Sequence, residues 1–195
     1  LWFSQRCDHV HAFEPHPENI AMITSQMNLR NSKNITLHQC ALGKEETEMQ
    51  LHVKNFHGHH SLGDVDNSPT VGKIRVKVRT MDDVCKELNV EQIQFLKIDV
   101  EGFESDVLLG GSQLLAEKKI DYILFELQET ILHSIQRTSQ EVFQILFDSG
   151  YEIIDLNGTK MEEKDSMHIP NGDYLACING IETAKKLGSS PFDLI

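Results

Sequence analysis

The sequence has 195 residues, 39% of them hydrophobic and 25% charged, a balance that suits one globular domain over residues 1–195 and excludes a disordered or fibrous chain. Its formal charge of -12 argues against a nucleic-acid or anionic-membrane binder, since both need a basic surface. No apolar run reaches the ~18 residues of a membrane helix, so the chain reads as soluble, with the cytoplasm as default compartment and any address before Leu1 outside its reach.

In chain order, residues 9–14 read as a strand that Pro15-His16-Pro17 breaks, with Pro17 opening a helix whose buried stripe is Ile20, Ile23 and Met27. Residues 35–42 read as a second strand ending at Gly43. The segments 49–53 and 74–78 alternate strictly enough to pair as half-exposed strands, so the basic residues between Lys73 and Arg79 form a solvated face and not a phosphate track. Thr80 and Asp83 cap a short helix with Met81, Val84 and Leu88 inward. Residues 93–100 form a nearly continuous apolar strand of the kind buried in a parallel sheet, followed by one helix over 104–119 and a further buried strand over 120–127. Thr138 and Glu141 cap a helix that stops at Gly150, and strands over 151–156 and 173–178 close the chain. The alternation of strand and helix periods is the signature of an α/β fold. Residues 181–195 form a tail without legible chemistry.

In an open parallel sheet, ligands bind beyond the carboxyl ends of the strands, so polar residues there carry the most weight. Glu14 is one of them, and its spacing fits equally an acid for ribose hydroxyls and a solvated turn charge. The segment Lys97-Ile98-Asp99-Val100-Glu101-Gly102-Phe103-Glu104 is denser. Period-two alternation puts Lys97, Asp99 and Glu101 on one side of an apolar strand, and burying charge there is costly unless it is paired. Asp99 reads as functional, and Glu104 as a helix-start charge. The residues His57, His59 and His60 have no carboxylate or cysteine at ligand spacing, and the cysteines Cys7, Cys40, Cys85 and Cys177 show no C-x-x-C pair, so no metal site is expected. The histidines read instead as part of a mobile loop over the site.

Five segments in order resemble the FkbM methyltransferase family: residues 10–17 with Ala12-Phe13-Glu14-Pro15, then Ala41-Leu42-Gly43, Thr80-Met81-Asp82-Asp83, the run from Phe95 to Glu104, and Val107-Leu108-Leu109-Gly110-Gly111. The likeness runs over about residues 10–156, and K-I-D-V-E-G-x-E is its specific part. It implies a Rossmann-like class I methyltransferase sheet with a C-terminal antiparallel hairpin, S-adenosylmethionine as cofactor, and methyl transfer to a hydroxyl oxygen of a small molecule or glycan. By position, Glu14 would hold the cofactor ribose, Cys40 and Ala41 would border the adenine, and Asp99 and Glu101 would lie beside the transferred methyl and the acceptor. Ser61 would face the substrate from a loop in which relatives show two serines before a leucine. Here the loop reads His60-Ser61-Leu62, so His60 joins the acceptor side. The family's first strand and glycine loop, D-V-G-A-N-x-G, would precede Val10 and do not occur in the sequence, which reads as an N-terminal truncation expected to bind cofactor weakly or not at all.

For an oxygen acceptor, Asp99 is the expected base and Lys97 its orienting partner, in an in-line displacement that needs alignment and removal of the hydroxyl proton. Two rival readings remain at this stage: a non-catalytic relative that keeps the fold as a binding module, and a nicotinamide-dependent oxidoreductase sharing the logic of Glu14.

Overall fold

The computed structural model describes residues 1–54, 60–63, 70–163 and 169–178. His57, His59 and the tail over 181–195 lie outside the described residues.

A turn of 3-10 helix, Phe3–Gln5, leads into β1 (Val10–Phe13), α1 (Pro17–Leu29) and β2 (Ile35–His38). β1 and β2 pair in parallel, Val10 opposite Ile35 and Phe13 opposite His38, and form a two-stranded sheet of their own. Pro17 starts α1 as expected, because its ring fixes φ near the helical value and the missing N–H would have no partner there anyway. The expected stripe is only half covered: Ile20, Ile23 and Met27 are each partly exposed, and Asn19 is the buried residue of α1. Among the described residues little packs against it, and an apolar opening lined by Leu1, Phe3, Val10, Ala12, Ile23 and Ile35 lies beside the helix.

The strand expected over 35–42 is broken. β2 stays with β1, whereas β3 (Ala41–Leu42) crosses to a second sheet and runs parallel to β5 (Thr70–Arg79), with Gly43 N–H donating to the Arg79 carbonyl at 2.9 Å. In the same sheet β4 (Thr47–Lys54) pairs antiparallel with β5, Met49 opposite Val76 and Leu51 opposite Ile74. Val76 and Val78 are buried while Lys73, Arg75 and Lys77 are exposed, so the basic residues do form a solvated face.

The main sheet has the order β6-β7-β10-β8-β9, built from β6 (Ile93–Ile98), β7 (Ile120–Leu127), β8 (Glu152–Asp155), β9 (Lys160–Met161) and β10 (Gly172–Cys177). β6 and β7 are parallel, and β10 inserts antiparallel between β7 and β8. Parallel and antiparallel strands thus coexist in a mixed α/β fold. The core lies on this sheet: Ile120, Ile123, Phe125, Val142, Phe143, Leu146 and Ile153 have 0% exposure. Phe125 meets Phe143 edge-on at 6.1 Å and Tyr174 face-on at 5.7 Å, geometries that suit aromatic quadrupoles.

Between β5 and β6, α2 (Met81–Leu88) is capped as expected, with the Thr80 hydroxyl accepting from Asp83 N–H at 3.2 Å. The single helix expected over 104–119 is two, α3 (Glu104–Leu109) and α4 (Ser112–Ala116). The break has two physical causes. A Cβ on Gly110 would fall 2.0 Å from the Gly43 carbonyl oxygen, so this point of the backbone abuts another segment. The carboxylate of Asp82, on α2, also accepts from Gln113 N–H at 3.0 Å and Leu114 N–H at 3.1 Å, starting α4 afresh. A further short helix, α5 (Glu129–Ser134), follows β7, and α6 (Ser139–Asp148) begins at the Thr138 cap.

Candidate functional site

Glu14 follows β1 directly, and its N–H donates to the His38 carbonyl at 3.0 Å, so the ends of β1 and β2 are locked level. The Glu14 carboxylate accepts from His16 N–H at 2.7 Å and from the Asn19 amide at 3.2 Å. These local bonds hold a charge over the start of α1, where the helix dipole favours it. A carboxylate offers about four acceptor positions, so Glu14 has capacity left for ligand hydroxyls. Beside it, His16 is 5% exposed and its Nδ1 has no partner among the described residues. Cys40 and Ala41, just past β2, are buried at 6% and 8% exposure, and burial pushes the Cys40 thiol above its usual range.

Lys97 and Asp99 pair at 2.8 Å, and both are nearly half exposed, with 43% and 46% of their side chains open to solvent. The charges that would be costly inside the sheet therefore stand at its edge, neutralising each other. Glu101 and Gly102 turn the chain from β6 into α3 with φ of 52° and 95°. Glycine adopts the left-handed region freely; at Glu101 the same conformation costs about 1 kcal/mol or more. Asp99, Glu101, Glu104 and Glu126 line one small cleft. Asp173, opposite Glu126 on β10, has its carboxyl pushed up by burial and then by the Glu126 charge.

The two regions are joined by residues 60–63. The His60 ring lies 4.4 Å from the His16 ring, and its Nδ1 accepts from Lys54 N–H at 3.1 Å, which puts the proton of a neutral His60 on Nε2. Ser61, 1% exposed, donates to the Glu101 carbonyl at 3.1 Å and accepts from Gly63 N–H at 3.3 Å. One short segment therefore touches the turn after β1 and the turn after β6. It brings Glu14, His60, Ser61 and Glu101 into a single neighbourhood.

These residues fall within a recognised domain: residues 2–153 match the methyltransferase FkbM domain. The chain belongs to the FkbM methyltransferase family. Similar proteins include "Methyltransferase 1" of Beauveria bassiana, 31% identical over 117 residues covering 51% of this chain and 47% of that protein. The "2-O-methyltransferase NoeI" of Sinorhizobium fredii is 28% identical over 131 residues, covering 60% of this chain and 53% of NoeI. The chain thus spans about half the length of these relatives. A crystal structure of Methyltransferase FkbM from Methylobacillus flagellatus aligns with 87% of this chain and 36% of its own, at 18% identity and a TM-score of 0.49.

Within the FkbM frame, sequence reasoning did not bring out His16 or the burial of Glu104, which is 3% exposed. Glu104 does start α3, as its helix-start reading requires, but its side chain is buried at the wall of the cleft. Its neighbours Phe103, Ser105, Asp106, Val107 and Leu108 are all buried too, and such mixed polar and apolar burial has no legible period. Among the described residues, no group of three or more His, Cys, Asp or Glu side chains is placed to hold a metal ion, and no helix is long and apolar enough to cross a membrane.

Proposed function

We propose that the chain transfers a methyl group from S-adenosylmethionine to a hydroxyl oxygen of a small molecule or glycan. The observation that carries this reading is the joining of Glu14 to Glu101 through His16, His60 and Ser61, within the domain matched over residues 2–153. The spare acceptor capacity of Glu14, the unpartnered Nδ1 of His16 and the buried Cys40-Ala41 pair fit a nucleoside with hydroxyls and an aromatic base. When bound, the cofactor supplies an electrophilic methyl; everything else falls to the chain.

In this reading Glu14 accepts from the ribose hydroxyls, and Cys40 and Ala41 border the adenine. Asp99 would lie beside the transferred methyl and take the acceptor's hydroxyl proton as the acceptor oxygen bonds to the methyl carbon and the carbon–sulfur bond breaks, with S-adenosylhomocysteine as the leaving group. Lys97 fixes the Asp99 carboxylate through their 2.8 Å bond. Glu101 and Ser61, with His60, orient the acceptor, a role for which alignment matters more than binding strength. An oxygen acceptor is also in keeping with the 2-O-methyltransferase among the relatives.

Calorimetric titration of S-adenosylhomocysteine into the full chain tests cofactor recognition, and saturable binding is expected. Tritium transfer from labelled S-adenosylmethionine to a panel of methyl glycosides tests the reaction. Asp99→Asn is expected to lower kcat by about 100-fold or more, the usual worth of a positioned base, with S-adenosylhomocysteine affinity unchanged. Full turnover in that variant removes Asp99 from the role.

A further inference from the structure

Four acids share the cleft at the ends of β6 and β7, and they are not equivalent. Asp99 is half exposed and paired with Lys97, and Glu126 accepts from the Gln128 amide at 2.8 Å. Glu101 sits in the strained turn and is partly exposed. Glu104 alone of the four is buried, at 3% exposure. Its Oε1 accepts from Gly102 N–H at 3.1 Å, while its Oε2 is sealed from solvent with no partner among the described residues.

A buried carboxylate oxygen without a donor is costly, and a protonated one is a donor in need of an acceptor. We propose that Glu104 holds its proton at neutral pH and donates from Oε2 to an oxygen of the molecule in the cleft, one beside the hydroxyl that reacts. The reacting oxygen is a poor target, because its lone pair must form the new bond to carbon. The inference rests on the methyl-transfer reading for the identity of that molecule, and on the geometry alone for the proton.

The electrostatics act in both directions, with burial the first of them. Burial pushes the Glu104 carboxyl up, and the Asp99 charge adds to this; backbone N–H groups of Glu104, Gly102 and Val100 pull the other way. Of the other charges nearby, Glu101, Glu126 and Asp173 are acids like Asp99, and Lys97 is taken by Asp99. Arg137 is engaged by Asp106 and by Ser105 at 2.9 Å. A proton on Glu104 therefore avoids another negative charge in a crowded acidic cleft. It also gives that cleft a donor among acceptors, which suits a ligand with two neighbouring oxygens.

Infrared spectroscopy of the full chain tests the proton directly. At pH 7, where ordinary glutamates are ionised, the wild type is expected to show a protonated carboxyl stretch that moves on carboxyl-¹³C-glutamate labelling and is absent from Glu104→Gln. Absence of that band overturns the proposal. Should Glu104→Gln not fold, Glu104→Asp identifies the residue, because the band then no longer moves on glutamate labelling. In tritium transfer to methyl α-D-glucopyranoside as probe, Glu104→Gln is expected to stay within about threefold of wild type, since an amide also accepts and donates. Glu104→Ala should raise the probe's KM about tenfold while S-adenosylhomocysteine affinity holds. A Gln variant as poor as Ala would mean that the ionised carboxylate is needed, and overturns the proposal. Because the infrared band needs neither cofactor nor acceptor, failure of methyl transfer with the band present removes the functional reading and leaves the proton on Glu104.

Discussion

β7 carries Ile120, Ile123, Leu124, Phe125 and Leu127 at 3% exposure or less, whereas every residue of β1 and β2 stays partly exposed. β1 and β7 each pair in parallel with one neighbour, yet β7 has a second bonded neighbour, β10, and shares its core cluster with side chains of α3 and α6, while β1 is bonded only to β2 among the described residues. The difference teaches where each function can sit. A catalytic geometry must hold to within a fraction of an ångström, and the proposed reading puts it on the firm sheet, at Asp99 and the turn at Glu101. In the proposed reading, recognition of the cofactor's nucleoside falls to the looser half, where Glu14 is held by two local bonds.

Truncation tests this contrast most strongly. Phe125→Ala removes a fully buried ring and its contacts with Phe143 and Tyr174, and should cost about 3–5 kcal/mol in urea unfolding. Ile23→Ala, on the half-covered face of α1, should cost about 1 kcal/mol, well below the 2–5 kcal/mol of a fully buried isoleucine. Equal losses would mean that the two halves are equally well packed.

The halves should also fail at opposite ends of the pH scale. Tyr151 and Tyr174, both in the firm half, are pushed up to about 12 chiefly by burial. Between the unfolded value near 10 and about 12 the folded state holds more protons, so stability falls as pH rises through that window. Tyrosinate absorbance should therefore appear together with loss of the core's near-ultraviolet circular dichroism. His11 and His38, whose rings meet at 3.1 Å between β1 and β2, are pushed down, first by burial and then by neighbouring positive charge, His9 at His11 and Arg79 at His38. Here the unfolded state binds protons first, so stability is lost as pH falls below about 6.5. Amide exchange at β1 and β2 should rise on acidification before that at β7; the reverse order would break the comparison.

Much of this was legible in the sequence because local chemistry fixed it. Pro17, Thr80 with Asp83 and Thr138 with Glu141 set helix starts, and the alternation in β5 separated buried valines from exposed lysines. The rest depends on partners far away in the chain. The break between α3 and α4 requires Asp82 and Gly43, and the break between β2 and β3 requires a second sheet built around β5. At the site, the acids of the Lys97 to Glu104 run were visible, but which one is buried was not. Alternation predicts a side of the strand, and Asp99 lies beyond the last β6 residue, Ile98, where the strand period no longer applies.

A smaller effect is expected at Glu14. Glu14→Gln keeps the side chain's length and one acceptor oxygen, enough for the shorter bond from His16 N–H but not for the one from the Asn19 amide as well, so a small loss of stability is expected. Cofactor recognition should suffer more: the Kd of S-adenosylhomocysteine is expected to rise about tenfold, or ~1.4 kcal/mol. Unchanged affinity would reduce Glu14 to a helix-start charge and leave the looser half without a demonstrated role in binding.

The smallest effect belongs to the seam between the sheets. The Thr80 hydroxyl accepts from Asp83 N–H at 3.2 Å and donates to the Asp83 carboxylate at 2.7 Å, fixing the first turn of α2. That turn contains Asp82, the residue that starts α4 from a distance. Thr80→Ala should cost about 1 kcal/mol, the usual worth of an N-cap. Thr138→Ala, whose bond to Glu141 N–H is longer at 3.4 Å and whose helix starts no other, should cost less. The ranking follows because α2 is coupled to α4, and adding Asp82→Ala to Thr80→Ala tests it: with the coupling present, the double variant loses less than the sum of the two single losses in urea unfolding.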